Sequence, residues 1–207
     1  MLRLMLVAGV FIFTGMVYRN LPERIPMHWN IRGEIDSYSG RQFGAWMMPG
    51  LILLMWGMFQ VLPKFDPKKE NYRKFELEWQ AIQTAILVLF GYLQTVILYA
   101  AMKPGASVMP LISAGLGWLF IILGAIMPGI KQNYFVGIKI PWTLANKTNW
   151  EKTHKFSRWC FWLVGAVFLG QAAWPQMWPG LMFGGMMVGV LLPIAYSGWL
   201  YTKQSKN

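Results

Sequence analysis

Six stretches of this chain contain no Asp, Glu, Lys, Arg or His: residues 4–18, 44–62, 79–102, 108–130, 159–174 and 178–201. An apolar helix needs about 20 residues to cross about 30 Å of hydrocarbon. A soluble fold has no use for six such runs, because its outer shell must carry charge. Charged residues make up 13% of the 207 and hydrophobic ones 56%, whereas soluble domains are about one quarter charged. The fold expected is all-α: a polytopic membrane protein with six transmembrane helices. Trp and Tyr recur at the run ends, where amphipathic rings favour the membrane interface. One integral membrane domain follows, with a two-span unit over 1–62 and a four-span unit over 79–207. The first run resembles a signal-peptide core behind Arg3, but no small-x-small cleavage site follows it, so it is retained as a helix.

Charge sets the expected orientation. Of 19 Lys and Arg residues, only Arg19, Arg24, Arg32, Arg41 and Lys103 fall on one side of a six-span arrangement. The excess on the other side, including Lys203 and Lys206, places both termini in the cytoplasm by the positive-inside rule. These cations sit in short juxtamembrane loops without a recognition motif, so the net charge of +11 points to topology and anionic lipid and not to direct nucleic-acid binding. Cys160 stands alone and closes no intrachain disulfide. No internal repeat suggests an inverted-repeat transporter.

With no ionisable group in the runs, a proton-coupled mechanism is disfavoured. The third run does carry a polar stripe: Gln80, Gln83, Thr84, Gly91, Gln94 and Thr95 fall within about 120° of one another on a helix and should turn inward. Such groups serve helix packing or line a cavity. Gly180-x-x-x-Gly184 and Gly185-x-x-x-Gly189 read as close-packing faces.

Two loops hold the remaining specific chemistry. The outer one includes Pro22, Pro26, His28, Trp29, Asn30, Gly33 and Asp36. Its prolines impose an extended, non-helical lead, and Gly33 suits a turn. His28, Asp36 and Ser37 are triad residue types without an elbow or oxyanion-hole signature, and metal-ligand spacings are missing. A compact cap is expected, with Trp29 at the interface and His28 in a structural hydrogen bond. In the inner loop, Thr148-x-x-Glu151 reads as a capping box that starts a helix near Asn149. Trp150, His154 and Ser157 or Arg158 would share a face of it, and Trp142 and Trp150 could pin the loop to the membrane surface.

At these loops the chain resembles the SdpI family of bacterial membrane proteins. The outer segment Leu21-Pro22-x-x-Ile25-Pro26-x-His28-Trp29-Asn30-x-x-Gly33-x-x-Asp36 is similar to the family's N-terminal signature. The inner Asn133-x-x-x-Gly137-Ile138-Lys139-Ile140-Pro141-Trp142-Thr143-Leu144, followed by Trp150 and Thr153-His154, is similar to its second signature. Lys139-Ile140 stands where the family usually has Arg-Thr, and Lys lacks the bidentate fork of Arg.

The resemblance implies a six-span bacterial plasma-membrane protein without enzymatic activity or cofactor. By that likeness it confers immunity to a secreted peptide toxin of bacteriocin type and signals to a cytoplasmic transcriptional repressor. Pro22, Pro26, His28, Trp29, Asn30 and Asp36 would form the outer recognition surface. Asn133, Gly137, Lys139, Pro141, Trp142, Thr143, Trp150 and His154 would form the inner motif, and Gln83, Thr84, Gln94 and Thr95 the intramembrane polar stripe. Lys139 in particular is expected to have no structural role beyond general charge and to be the functional cation that the loop presents. The rival function is an exporter of small amphiphiles using the inward face of the third run.

Overall fold

The computed structural model describes residues 1–30, 32–177 and 180–204. The expected first residue of the sixth run, Trp178, and the cation Lys206 lie outside the described residues. Helix α1 (Leu2–Val17) leads through a short 3-10 turn into a hairpin of β1 (Arg24–Trp29) and β2 (Ile35–Gly40). Helices α2 (Arg41–Phe65), α3 (Glu76–Met102) and α4 (Met109–Ile126) follow, then the short α5 (Pro141–Ala145) and the long α6 (Lys147–Ala173) and α7 (Gly180–Gln204).

The hairpin corrects the all-α expectation. Pro22 and Pro26 hold the chain extended, as read from the sequence, and the antiparallel register runs from Arg24 opposite Gly40 to Trp29 opposite Ile35. Irregularities between Pro26 and Trp29 break the period-two alternation by which a strand is normally read from sequence. Gly33 turns the chain at φ +80°, a conformation that a Cβ penalises.

Helix α3 is the central element, packed against α1, α2, α4 and β1. Helix α6 packs between α4 and α7. Small residues set these approaches: a Cβ on Gly117 would come within 2.8 Å of Leu169, and one on Gly165 within 2.8 Å of Ile121. Large apolar side chains such as Ile12, Leu54, Met58, Trp118, Ile122, Leu163 and Phe183 remain exposed on the outside of the bundle. A monomeric soluble protein does not carry that much apolar surface; a lipid-facing one does.

Among the described residues, five helical segments are long and apolar enough to cross a membrane: Leu2–Asn20, Arg41–Phe65, Lys69–Met102, Met109–Gly129 and Gly180–Lys203. Helix α6 is not among them, although a sixth span was expected there. Its 27 residues begin with Lys147, Glu151, Lys152, Lys155 and Arg158. The apolar remainder, 159–173, covers about 22 Å at 1.5 Å per residue, short of the roughly 30 Å hydrocarbon core.

The polar stripe of α3 divides. Gln94 is buried and its Nε2 donates to Thr14 Oγ1 (3.1 Å) and Ala45 O (2.9 Å), tying α1, α2 and α3 together. Gln83 is buried as well. Thr95 is exposed and Thr84 half-buried, each returning its hydroxyl to its own helix at Gly91 O and Gln80 O. The buried arc of α3 is centred nearer Trp79 and Ile97, so the stripe straddles its edge and only part of it turns inward.

The glycine pairs of α7 behave differently from one another. A Cβ on Gly189 would come within 2.5 Å of Val164 on α6, whereas one on Gly184 meets nothing within 4 Å. Gly189→Leu is therefore expected to destabilise the protein by about 1–3 kcal/mol through overpacking, seen as a lower melting temperature in detergent. Gly184→Leu should leave it unchanged, and equal effects would contradict this α6–α7 interface.

Candidate functional site

The outer hairpin rests on the first turn of α2. Arg41 donates its backbone N–H to Glu23 O (2.8 Å) and Nε to Pro22 O (3.2 Å). A Cβ on Gly44 would collide with Ile25 at 2.8 Å, so glycine is what lets the strand lie on the helix. Beneath the hairpin, Ile25 and Leu21 are buried with Ala45, Ile97, Leu98 and Ala101. Pro26 is buried with them, while Pro22 is exposed. Trp29 is half-buried against Val96, Ala100 and Val108 and so clamps the hairpin to α3 and α4.

Asn30 organises the turn. Its Oδ1 accepts the N–H groups of Arg32 (2.8 Å) and Glu34 (3.1 Å), and its Nδ2 donates to Glu34 Oε2 (2.8 Å). His28 Nδ1 pairs with Asp36 Oδ1 at 2.6 Å on the exposed face. That is the structural hydrogen bond expected of His28. Ser37 stands opposite His28 in the register, with no hydrogen bond between their side chains among the described residues. Among the described residues no group of three or more His, Cys, Asp and Glu side chains could hold a metal.

The inner face is built as a clasp. Trp150 and His154, one helical turn apart on α6, stack with ring centroids 4.1 Å apart and an interplanar angle of 19°. Both are 0% exposed. Trp150 Nε1 donates to Ile130 O (2.8 Å). His154 Nδ1 faces Trp150 O at 2.8 Å, and Ile138 N–H donates to His154 Nε2 at 3.1 Å. The carbonyl requires a proton on Nδ1 and the amide requires a lone pair on Nε2, which together define one neutral tautomer. Burial pushes the His154 pKa down to about 4, the hydrogen bond to Trp150 opposing that shift. His154 lies in the polar first half of α6, ahead of the apolar segment that starts at Trp159.

Gly137 completes the clasp at φ +108°. A Cβ there would run into His154 Nε2. Asn133 is buried and its Oδ1 accepts the N–H groups of Phe135 (2.9 Å) and Val136 (2.7 Å). Pro141 opens α5. Thr143 Oγ1 accepts from Ile140 N–H (3.1 Å) and donates to Ile138 O (2.7 Å).

Two expectations change here. Trp150 is a core residue and not an interfacial anchor, because its indole finds both a carbonyl and a stacking partner inside the fold. Lys139 has a local role: exposed at the surface, it donates Nζ to Phe135 O at 2.9 Å. Trp142 is half-buried and stacks on Tyr201 of α7 at 6.3 Å. Helix α6 also starts earlier than expected, at Lys147, with Asn146 Oδ1 accepting Asn149 N–H at 2.9 Å.

Several residues that shape the inner face escape sequence reasoning. Asp66 is buried and accepts from Lys68 N–H (2.7 Å), Tyr72 Oη (3.0 Å) and Tyr134 N–H (2.9 Å), linking the α2–α3 connection to the inner loop. Gln132 Nε2 donates to Thr143 O (2.7 Å) and Leu144 O (2.8 Å), and its Oε1 accepts from Lys68 Nζ. Asn149 Oδ1 accepts from Ser197 Oγ at 2.6 Å, and its Nδ2 donates to Ser197 O at 2.9 Å, tying α6 to α7. Asp66 precedes Pro67, a turn-forming pair, and is the one of these with a local sequence signal.

Residues 129–197 match the SdpI/YfhL protein family, and residues 5–53 match a domain of unknown function, DUF1648. The immunity protein SdpI of Bacillus subtilis (strain 168) is 24% identical over 147 residues, covering 71% of this chain and 68% of that protein. No solved structure matches. The first matched stretch contains the hairpin and the second contains the clasp with α6 and most of α7. Over its last third the chain is similar to the SdpI/YfhL protein family, and over most of its length to an immunity protein of that name.

Proposed function

We propose that this membrane protein confers immunity by binding and neutralising a secreted, membrane-active peptide at its outer face, and that its inner face signals the encounter to a cytoplasmic repressor. It sits in the bacterial plasma membrane with six spans and both termini inside. The observation that carries this reading is the separation of two ordered polar surfaces at opposite ends of one apolar bundle. The hairpin joins α1 to α2, while the clasp joins α4 to α6. The hairpin presents His28, Asn30, Arg32, Glu34 and Asp36 on a frame fixed by Trp29 and Arg41. The inner face presents Lys139, Pro141 and the edge of Trp142 above the hydrogen-bonded side chains of Asn133, Thr143 and His154.

The likeness to the Bacillus subtilis immunity protein supports the activity. The sixth span is supported by packing: α6 lies between α4 and α7, and Gln171 near its end lines the same outer cleft as Trp29 and Lys103. A helix with one end at each polar face follows the course of its neighbours. Neighbouring helices and local bilayer thinning accommodate a short apolar stretch.

Orientation is tested by labelling. Cys160 is buried and free; in a background lacking it, a cysteine at Ser39 is expected to react with an impermeant thiol reagent in intact cells, and one at Asn146 only after permeabilisation. The reverse pattern would overturn the topology. Immunity is tested by deleting the gene in its own host and challenging the cells with spent medium of that host and of Bacillus subtilis. The deletion strain should depolarise, read by a potential-sensitive dye, and the restored gene should abolish the effect. A deletion strain that holds its potential as well as the parent in both media would contradict the immunity reading.

A further inference from the structure

A cleft of about 820 Å³ opens at the outer end, between the hairpin turn, the α3–α4 connection and the junction of α6 with α7. That volume lies in the range of ligand sites, about 300–1,000 Å³. Trp29, Met109 and Met182 give it apolar walls, and Arg32, Glu34 and Lys103 contribute charge of both signs.

Gln171 on α6 lines the same cleft and is only 6% exposed. Its Nε2 donates to Pro175 O at 3.1 Å, while its Oε1 is buried with no hydrogen-bond partner among the described residues. The acceptor at Pro175 fixes which end of the amide is nitrogen, so the orphan is the carbonyl oxygen. A buried acceptor without a donor costs free energy, and here it belongs to a side chain that lines a cleft.

Resting on the immunity reading, we propose that this cleft is where the toxin is held, by an apolar peptide segment whose backbone N–H is donated to Gln171 Oε1. A peptide supplies all three things the cleft asks for: an N–H donor, apolar side chains for the methionine and tryptophan walls, and a backbone that tolerates cations and an anion at the rim. A choline headgroup has no N–H to give, and an ethanolamine headgroup, which has, would add its ammonium to the two cations Arg32 and Lys103. The terminal torsion of Gln171 is broad and roughly two-fold, which lets Oε1 adjust toward an incoming donor.

The test uses full-length variants restored to the deletion strain and challenged with the same spent media. Ala106, half-exposed on the rim, becomes a plug in Ala106→Trp without touching the bundle core. Gln171→Leu removes the acceptor, and Gln171→Glu keeps an acceptor for the peptide. Ala106→Trp and Gln171→Leu should lower the medium dose for half-depolarisation about tenfold, the scale of one hydrogen bond left unmade. Gln171→Glu should protect like the parent, as should Ala85→Trp in the lipid-facing groove between α3 and α4. Abundance and a melting temperature within about 4 °C of the parent, the shift expected for about 1 kcal/mol, identify folded variants; should Gln171→Leu fail this control, Ala106→Trp decides alone. Full protection by a folded Ala106→Trp overturns the assignment of the cleft and leaves immunity standing. Failure of the restored parent gene itself would instead sink the immunity reading.

Discussion

The inner end of the molecule depends on a histidine that must stay neutral. His154 receives the Ile138 amide on one ring nitrogen and gives its proton to the Trp150 carbonyl from the other. A proton added to Nε2 would turn an acceptor toward a donor and place a charge in a site closed to water. Around this ring are assembled the tryptophan stack, the φ +108° turn at Gly137 and the loop that returns to α5. The motif thus acts as a clasp between the inner loop and α6, and its exposed rim, not its buried ring, is the surface a partner would meet.

The rest of the bundle obeys the solvent it sits in. Where water is missing, polar side chains must find partners within the protein. The Nε2 of Gln94 finds Thr14 and the Ala45 carbonyl while its Oε1 has no partner among the described residues, and Asn149 finds Ser197. Lipid gives apolar helices little reason to associate, so close approach through small residues carries the packing. Gly117, Gly165 and Gly189 set the α4–α6–α7 contacts.

Much of this was legible in the chain, for reasons specific to each element. Absence of charge over long runs is a local property, so six runs stand out; in the structure five of them sit in helices long and apolar enough to cross, and α6 falls short because its cations occupy half of a helix whose apolar remainder is short. Pro22, Pro26 and Gly33 announce an extended segment and a turn, but irregular pairing around His28 hides the strands. Trp150 in a polar stretch looks like an interfacial anchor until the fold supplies the Ile130 carbonyl. Gln171 gives no sequence signal at all: its orphaned oxygen exists only where α6, α7 and the hairpin converge.

The clasp is tested most directly by the ionisation of His154. With a folded pKa of about 4 against an ordinary histidine value of 6.5, the unfolded chain binds a proton before the folded one does. Stability is then complete above about pH 6.5 and falls by up to about 3 kcal/mol as the pH drops toward 4. Nitrogen NMR of labelled His154 in the purified protein should show an imidazole protonated on Nδ1, unchanged from pH 8 down to about 5. A ring that titrates near 6.5, or carries its proton on Nε2, would contradict the clasp.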